Sequence, residues 1–342
     1  MSFKGKLSAC LLGLAIGVDF GTFATSAAEK LVISSWAPPT HGINAKLWPR
    51  FIEMVEKATD GRVTAEIKYK LAPPPAQFDI VQDGAADLTW IFHGYNPGRF
   101  AATKLIELPG YEGSAEAASV AYWKAYEKYL AKADEHKGVK VVALHTHGPG
   151  QLHSATKVTS LSEIDGMKLR LGGGVSGDVG TALGATGIRV PAPKVYETLA
   201  SKAADGVMMP MEGKKGFKLT EVAQHTFEMP GGFYRGSFAL IMNEDKFNSL
   251  SEEDRAALET IFGEAVSRMS GQVWDEIDAD GLAALKGTDG NSLNVASDAD
   301  QAAYRELADP IKANVIAEVL AKGVDAQAAV DLIAETMSSY GN

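Results

Sequence analysis

One arginine, followed almost at once by three glycines, is the strongest candidate for ligand chemistry in this sequence. Arg170 lies near the end of residues 167–171 (MKLRL), which predict a short strand, and residues 172–174 are all glycine. A guanidinium presents a planar fork of donors that matches a carboxylate with two parallel hydrogen bonds. Ligands of α/β sheets bind beyond the C-terminal ends of strands, where glycine lets the backbone approach closely. We therefore expect Arg170, with Gly173 and Gly174, to bind the carboxylate of a small organic acid; the alternative is a surface arginine on an edge strand.

The same glycines also match a dinucleotide-binding pattern. Gly172, Gly174 and Gly177 satisfy G-x-G-x-x-G after a predicted strand, where such glycines bring backbone amides to a pyrophosphate. The strand that would follow, residues 188–191, has no acidic residue to hold a ribose hydroxyl. The pattern therefore does not predict a nucleotide site, and no cofactor is expected.

Aromatic side chains fall at the ends of several predicted strands and in the adjoining loops. Trp36 follows a predicted strand over residues 31–35, and another strand over residues 88–92 carries two more aromatic residues. Small-molecule pockets are mostly apolar with a few polar groups, so we expect such residues to form the walls around Arg170. The alternative is that each belongs to the core. The residues predicted to face the cleft on this argument are Trp36, Trp90, Phe92, Phe233 and Tyr234.

Histidines offer a second kind of chemistry, the binding of a metal ion. His145 and His147 lie two residues apart on a predicted strand, so that both side chains face one side, and His153 follows six residues later. Three histidines with one acidic residue would suffice for zinc, and a metal-binding receptor using His145, His147 and His153 is therefore the alternative function. Because the histidines are scattered over separate segments, we favour a role for His147 and His153 as polar groups of the pocket or hinge.

Composition and charge exclude several classes of protein. The 342 residues include 33 Lys and Arg against 43 Asp and Glu, a net charge of -10, which argues against nucleic-acid binding because that requires a basic surface. The single cysteine, Cys10, excludes a disulfide framework and a cysteine-rich metal site. A secreted enzyme is the least favoured interpretation, because residues 174–177 (GVSG) lack the spacing of the nucleophile motif G-x-S-x-G.

The N-terminal residues have the pattern of a secretory signal. Lys4 and Lys6 precede an apolar segment at residues 7–18, and small side chains follow at residues 24–28. An apolar run of this length is too short to cross a bilayer as a stable helix. We expect residues 1–28 to be cleaved and the rest of the chain to reach the periplasm.

The remaining chain alternates predicted strands and helices. Strand, helix and strand follow one another between residues 31 and 69, an order that favours a parallel sheet. Segments rich in Gly and Pro at residues 148–150 and 230–232 predict crossings between two α/β units, and a helical stretch over residues 252–285 is long enough to brace both. We therefore expect two α/β lobes around a central cleft. The first lobe is assigned residues 29–148 and 235–275, and the second lobe residues 149–234 and 276–342.

Several segments together resemble one family of transport proteins. The segments are residues 31–39, 51–63 (FIEMVEKATDGRV), 82–90 (QDGAADLTW), 161–170 (LSEIDGMKLR) and 193–210 (PKVYETLASKAADGVMMP). In order and spacing the chain resembles the extracytoplasmic solute-binding subunits of tripartite ATP-independent periplasmic (TRAP) transporters, the DctP-type family. The resemblance implies a periplasmic-binding-protein-like fold and a receptor that captures organic acids and delivers them to a membrane permease.

The resemblance also bears on individual residues. Arg170 stands where the family has its carboxylate-binding arginine. Two positions depart from the family pattern: no second arginine is found near Gly150 and Gln151, and Met208 and Met209 replace a pair that commonly includes Asn. Both departures imply a less polar pocket, with Met209 on its wall. We expect a ligand with one strongly bound carboxylate and an aromatic or aliphatic body, bound by a monomer or a dimer.

Overall fold

The chain folds around two β-sheets. The computed structural model describes residues 1–2 and 28–340, so that the predicted signal segment with Cys10 lies almost wholly outside the described residues. Five strands form a first sheet in the order β2-β1-β3-β10-β4, and six form a second sheet in the order β11-β9-β5-β8-β6-β7. The strands are β1 (Glu29–Ser35), β2 (Val63–Tyr69), β3 (Leu88–Phe92), β4 (Val139–Thr146), β5 (Gln151–Ser154), β6 (Lys168–Leu171), β7 (Thr186–Arg189), β8 (Gly206–Met209), β9 (His225–Glu228), β10 (Ser237–Asn243) and β11 (Ser292–Val295).

Each sheet is mostly parallel and contains one strand that runs against its neighbours. In the first sheet β1 pairs in parallel with β2 and β3, whereas β10 is antiparallel to β3 and β4. In the second sheet β6 is parallel to β7 and β8, and β9 to β11, whereas β5 is antiparallel to β8 and β9. The predicted fold class, two α/β units with separate sheets, is confirmed.

Helices connect the strands and cover the sheets. Among the described residues, no helix combines the length and the hydrophobicity needed to cross a membrane. A π-helical turn, Ile43–Leu47, precedes the first α-helix, and a 3-10 segment, Ala102–Glu107, follows β3. The α-helices are α1 (Trp48–Ala58), α2 (Gln77–Gln82), α3 (Ala115–Lys128), α4 (Val175–Ala182), α5 (Val195–Ala200), α6 (Gly213–Gly216), α7 (Leu219–Val222), α8 (Glu244–Ser249), α9 (Glu252–Glu259), α10 (Glu264–Gly287), α11 (Asp298–Leu320) and α12 (Ala326–Ser339).

Strand β10 shows how the sequence builds a core on both faces of the first sheet. Side chains of a strand alternate between the two faces. Ala239 and Ile241 belong to a buried cluster that includes residues of α3, whereas Phe238 and Leu240 belong to a second cluster that includes residues of α1. Every residue of β10 is buried. An unbroken apolar run such as this one is typical of a strand that is covered on both faces.

Two segments cross between the sheets side by side. Residues 147–150 lead from β4 to β5, and residues 229–236 lead from β9 back to β10. Gly150 N donates to Tyr234 O at 2.8 Å, and Phe233 N donates to Gly150 O at 2.9 Å. The two segments rich in Gly and Pro therefore lie where the chain passes from one sheet to the other, as predicted.

The helical stretch predicted over residues 252–285 is two helices, α9 and α10. Gly263 separates them with φ at 88°, in the region that favours glycine, and its N–H donates to Val142 O at 2.8 Å. A Cβ at Gly263 would lie 2.6 Å from the ring of Trp123. The prediction of one continuous helix is therefore wrong, because packing against β4 and α3 requires a glycine conformation at this point.

Helix α10 nevertheless contacts both halves of the molecule. Leu144 N, in β4, donates to Ser267 Oγ at 3.1 Å. Nearer the other end of α10, Asp278 Oδ1 accepts from Glu212 N, just beyond β8, at 2.7 Å. The helix therefore braces the first sheet against the loop that follows a central strand of the second.

The C-terminal elements do not all lie on one side. Strand β11 pairs with β9 in the second sheet, but α12 packs against α3 beside the first. Ile333 and Met337 of α12 join the buried cluster that includes Ala118 of α3. The assignment of residues 276–342 to the second lobe therefore does not hold for α12, whose apolar face is covered by α3. The rest of the proposed division stays a prediction.

Candidate ligand-binding site

A cavity lies between the two sheets, and the empty space among its lining residues, part of it open to solvent, is about 410 Å³. Strands β1 and β3 of the first sheet end beside Trp36 and at Phe92, and β6 and β8 of the second end beside Gly172 and Pro210. All four residues line the cavity. It therefore lies beyond the C-terminal ends of parallel strands, the edge where α/β sheets bind ligands. Its ionisable and aromatic lining residues are Trp36, His41, Trp90, Phe92, Tyr95, His147, Arg170, Glu212, Phe217, Tyr234, Phe238 and Trp274.

Arg170 lies in this cavity with its side chain almost fully buried. Its Nε donates to Val190 O at 2.8 Å, and its Nη2 donates to Tyr95 Oη at 3.2 Å. Among the described residues, no carboxylate lies within ion-pair distance of the guanidinium, and Nη1 has no protein acceptor. A side chain at Gly172 would place its Cβ 3.0 Å from Phe92 and 3.9 Å from Arg170 Nη1. Glycine at this position therefore keeps the space beside the guanidinium open.

Tyr95 holds the arginine from the side of the first sheet. Its Oη accepts from Ala192 N at 2.7 Å as well as from Arg170 Nη2. A phenol has one proton to donate, and in the described part of the chain no acceptor for it is found. Arg170 Nη1 and the Tyr95 hydroxyl together therefore offer two donors to an anion in the cavity.

Two stacked tryptophans form one wall of the cavity. The rings of Trp36 and Trp90 stack with centroids 3.9 Å apart and an interplanar angle of 9°. Trp36 Nε1 donates to Trp90 O at 3.0 Å, and Trp90 Nε1 donates to Ser35 Oγ at 3.2 Å, so that both indole N–H groups are satisfied. Phe238 lies 5.6 Å from Trp90 and extends the aromatic surface. Stacking and hydrogen bonding hold both indoles in place, and their apolar surface suits contact with an aromatic ligand.

The two histidines near Trp274 are neutral groups. Burial lowers the pKa of both His145 and His147 to about 3, because a charged imidazole would lose its hydration. His145 Nδ1 accepts from Trp274 Nε1 at 2.9 Å. His147 Nδ1 lies 2.5 Å from Gly148 O and carries the proton, because a carbonyl oxygen can only accept. His147 lines the cavity with its other nitrogen available as an acceptor, whereas His145 lies behind Phe238.

A second polar pair, His41 and Glu212, lines the cavity beside Trp90. His41 and Glu212 are 1% and 3% exposed, and His41 Nε2 lies 3.2 Å from Glu212 Oε2. His41 Nδ1 accepts from Ile43 N, in the π-helical turn, at 3.2 Å. A Cβ at Gly216 would lie 2.4 Å from Glu212 Oε2, so a glycine in α6 gives this carboxylate its room.

The sequence matches a family model over residues 33–318, that of the bacterial extracellular solute-binding proteins of family 7, DctP. The match covers most of the chain. This chain belongs to that family. The resemblance to TRAP solute-binding subunits is therefore confirmed, and the protein is an extracytoplasmic solute-binding protein.

Two solved structures of TRAP solute-binding proteins are similar to this chain, and so is one further relative. A TRAP periplasmic solute-binding protein of Bordetella bronchiseptica with bound (R)-mandelate and (S)-mandelate is 39% identical, with a TM-score of 0.87 over 90% of this chain and 98% of that one. A marine metagenome TRAP solute-binding protein specific for aromatic acids, in complex with metahydroxyphenylacetate, is 30% identical, with a TM-score of 0.84 over 92% and 100%. The outer membrane transporter protein TsaT of Comamonas testosteroni is 28% identical over 97% of each chain.

The solute-binding protein brings six of the ten predicted site residues to the cavity. They are Arg170, Trp36, Trp90, Phe92, Met209 and Tyr234. On β3 the alternation of side chains places Trp90 and Phe92 on one face, which explains why both reach the cavity. Met209 lies at the end of β8, where the sequence departs from the family pattern, and contributes an apolar group to the lining.

Two of the other four predicted residues are glycines that pack against segments following β3 and do not line the cavity. A Cβ at Gly173 would lie 2.3 Å from Gly94 O, and one at Gly174 would lie 2.3 Å from Glu107 Oε2. The carboxylate of Glu107 accepts from Val175 N, at the start of α4, at 2.9 Å. The close backbone approach expected of these glycines is therefore made to another part of the protein.

The remaining two predicted residues are structural. Phe233 is fully buried against Phe227 and Tyr304, with ring centroids 6.3 and 5.0 Å away. His153 Nδ1 lies 2.9 Å from Thr226 Oγ1, and its Nε2 lies 3.2 Å from Met209 O. Phe233 belongs to the crossing segment and His153 to β5, and both side chains are fully buried in contacts with other parts of the protein.

The zinc alternative is not supported. In the described part of the chain no group of three or more His, Cys, Asp or Glu side chains is placed to hold a metal ion. His145 bonds to Trp274, His147 to the crossing segment and His153 to β9, so the three imidazoles serve different elements. Sequence spacing brought them within nine residues, but the passage from β4 to β5 places them in different sheets.

Proposed function

We propose that this solute-binding protein is the periplasmic receptor for an aromatic monocarboxylate. The observation that carries the proposal is Arg170, a buried guanidinium with no ion-pair partner among the described residues, beside a wall of stacked tryptophans. A buried charge is costly unless it is paired and hydrogen-bonded, so the site favours an anion. The relatives with bound mandelate and metahydroxyphenylacetate support an aromatic body for that anion.

The carboxylate would lie between Arg170 and Tyr95. Arg170 Nη1 and the Tyr95 hydroxyl donate to it, while Nε and Nη2 stay bound to the protein and fix the orientation of the guanidinium. The ring would lie against the stacked pair of Trp36 and Trp90, where an edge-to-face contact contributes about 1 kcal/mol beyond the burial of apolar area. Net affinity in the micromolar range, about -8 kcal/mol, would suit a receptor that must also release its ligand.

Ligand binding would close the two lobes about the crossing segments. Residues 147–150 and 229–236 are the hinge in this proposal, and α10 follows the motion as a brace. Closure is stabilised only by contacts that the ligand makes better in the closed state. The closed form would then deliver the acid to the membrane permease of a TRAP transporter, after export directed by residues 1–28.

Calorimetry with benzoate, phenylacetate and mandelate tests the proposal, preceded by a thermal-shift screen of organic acids. Arg170→Gln should weaken binding of any acid that binds by about a hundredfold, because it removes a charge-assisted hydrogen-bonded pair. Arg305→Gln, an exposed arginine of α11, is the matched control and should bind like the wild type. Equal affinity of Arg170→Gln and wild type, or binding of no aromatic acid, would overturn the proposal. Recovery of each acid unchanged after prolonged incubation distinguishes a receptor from an enzyme.

A further inference from the structure

The cavity has two polar ends, and the stacked tryptophans lie between them along one side. Four rings follow one another along the cavity. The distance between ring centroids is 6.0 Å from Tyr95 to Trp36, 3.9 Å from Trp36 to Trp90, and 6.1 Å from Trp90 to His41. Tyr95 bonds to the arginine at one end, and His41 adjoins Glu212 at the other. An aromatic acid that places its carboxylate at the first end therefore directs the opposite edge of its ring toward the second.

Glu212 presents an acceptor to that ring edge. Its side chain is 3% exposed and lines the cavity, so its carboxylate has little access to water. Lys46 and Lys215, which line a neighbouring surface pocket together with Glu212, pair with Asp280 at 3.4 and 3.1 Å, and among the described residues no lysine or arginine pairs with Glu212. A buried carboxylate that accepts few hydrogen bonds stabilises any donor that reaches it.

His41 gives Glu212 incomplete compensation. Because His41 Nδ1 accepts from Ile43 N, the ring proton of the neutral imidazole lies on Nε2. That nitrogen is 3.2 Å from Glu212 Oε2 but makes no well-aligned hydrogen bond within the described residues, and it is fully buried. The pair therefore has an unused donor and an unused acceptor, which is the arrangement that a hydroxyl group complements, since a hydroxyl both donates and accepts.

We propose that Glu212, assisted by His41, selects aromatic acids that carry a hydroxyl on the ring. The hydroxyl donates to the Glu212 carboxylate and accepts from His41 Nε2, while the carboxylate of the acid is held at Arg170. The inference rests on the proposed function and deepens it. A negative Glu212 at the far end also repels a second carboxylate, so the same residue rejects aromatic dicarboxylates and fixes the direction in which an acid binds.

Calorimetry on the full exported chain with four acids tests this assignment. Wild type should bind 3-hydroxyphenylacetate or 4-hydroxyphenylacetate at least tenfold more tightly than phenylacetate, because a hydrogen bond to a charged acceptor is lost without the hydroxyl. Mandelate, whose hydroxyl is next to its carboxylate, should show no gain from Glu212. In Glu212→Gln the preference should fall to about threefold or less, while phenylacetate and mandelate keep their wild-type affinities within about threefold.

Glu212→Asp, which withdraws the carboxylate from the cavity, should lose the preference in the same way and serves if the first variant does not fold. Glu306→Gln, an exposed glutamate of α11, should retain the full preference. Equal wild-type affinities for phenylacetate and both hydroxylated acids, or a preference that survives in Glu212→Gln, would overturn the role of Glu212 while leaving the aromatic-acid proposal intact. Failure of all four acids and of benzoate to bind wild type would overturn both proposals.

Discussion

Tyr95 joins the two sides of the cavity through a single oxygen atom. The residue follows β3 of the first sheet, yet its Oη accepts from Arg170 and from Ala192, both of which belong to the second half of the site. With two N–H donors already bound, the hydroxyl proton is free for the ligand. Tyr95 supports the guanidinium, and in the proposed function it would also donate to the anion.

Replacing Tyr95 by Phe should weaken the binding of phenylacetate about tenfold. The change removes one hydrogen bond to the ligand and one to Arg170, and each is worth about 1 kcal/mol net, less what the ligand recovers by rearrangement. Calorimetry measures the affinity, and thermal unfolding without ligand shows whether the fold is kept. Tyr196→Phe is a matched control, because the Tyr196 hydroxyl donates to Glu221 at 2.6 Å and neither residue lines the cavity. An unchanged affinity in Tyr95→Phe would show that the phenol does not contact the anion.

At the level of residues, the sequence indicates those site members whose chemistry stands out locally. Arg170 is identified by a charged side chain between a strand and a run of glycines, and Trp90 by its place in an apolar strand. Tyr95 and Glu212 carry no such mark. They line the cavity because β3 and β8, which lie in different sheets, end at the same cleft. The sequence offers one indication of this, which is that Glu212 follows soon after the end of β8.

Among the elements, the break between α9 and α10 decides where the bracing helix begins. Gly263 holds φ at 88° and ψ at -128°, a conformation that is almost restricted to glycine, and the Trp123 ring leaves no room for a Cβ. The helical periodicity on both sides of the break gives no hint of it. A turn of this kind depends on contacts with α3 and β4, which are distant in sequence, so local pattern alone predicts one helix instead of two.

Gly263→Ala should therefore destabilise the protein by about 2–4 kcal/mol, the combined effect of a strained backbone and a steric clash. Urea unfolding followed by circular dichroism measures the change. Gly287→Ala, at the other end of α10, is the control: a Cβ there meets no atom within 4 Å and its φ is not positive, so its effect should be within about 0.5 kcal/mol of zero or stabilising. Equal stabilities of the two variants would contradict the account of the helix break.

For the molecule as a whole, stability depends on buried groups that titrate in opposite directions. Burial lowers the pKa of His136 to about 3 and raises the pKa of Glu107 to about 7. Glu107, in the segment that precedes α3, also accepts from Val175 of α4 and from Ser237 of β10, and so links the helix that follows β6 of the second sheet to a strand of the first. The neutral forms of both side chains are the ones that the fold favours.

The signs of the two pH effects follow from linkage. Below pH 6.5 the unfolded chain binds a proton on His136 that the folded chain does not bind, so this residue makes folding less favourable as the pH falls from 6.5 toward 3. Between pH 7 and 4.5 the folded chain binds a proton on Glu107 that the unfolded chain does not, so this residue makes folding more favourable as the pH falls. The pH dependence of the wild type is the sum of such terms.

Two variants separate these contributions. From pH 8 to pH 5, His136→Phe should gain about 2 kcal/mol in the free energy of unfolding relative to wild type, because it removes the titrating imidazole. Over the same range Glu107→Gln should lose about 2 kcal/mol relative to wild type, because its amide cannot take up the proton that stabilises the folded state in acid. Urea denaturation at pH 8, 6.5 and 5 measures both, and His225→Gln, at a half-buried histidine, should change the slope less than His136→Phe. Loss of the hydrogen bonds to His93 or Ser237 shifts the whole curve of unfolding free energy against pH without changing its slope. If the curves of both variants run parallel to that of the wild type, the opposite protonation equilibria assigned to His136 and Glu107 are refuted.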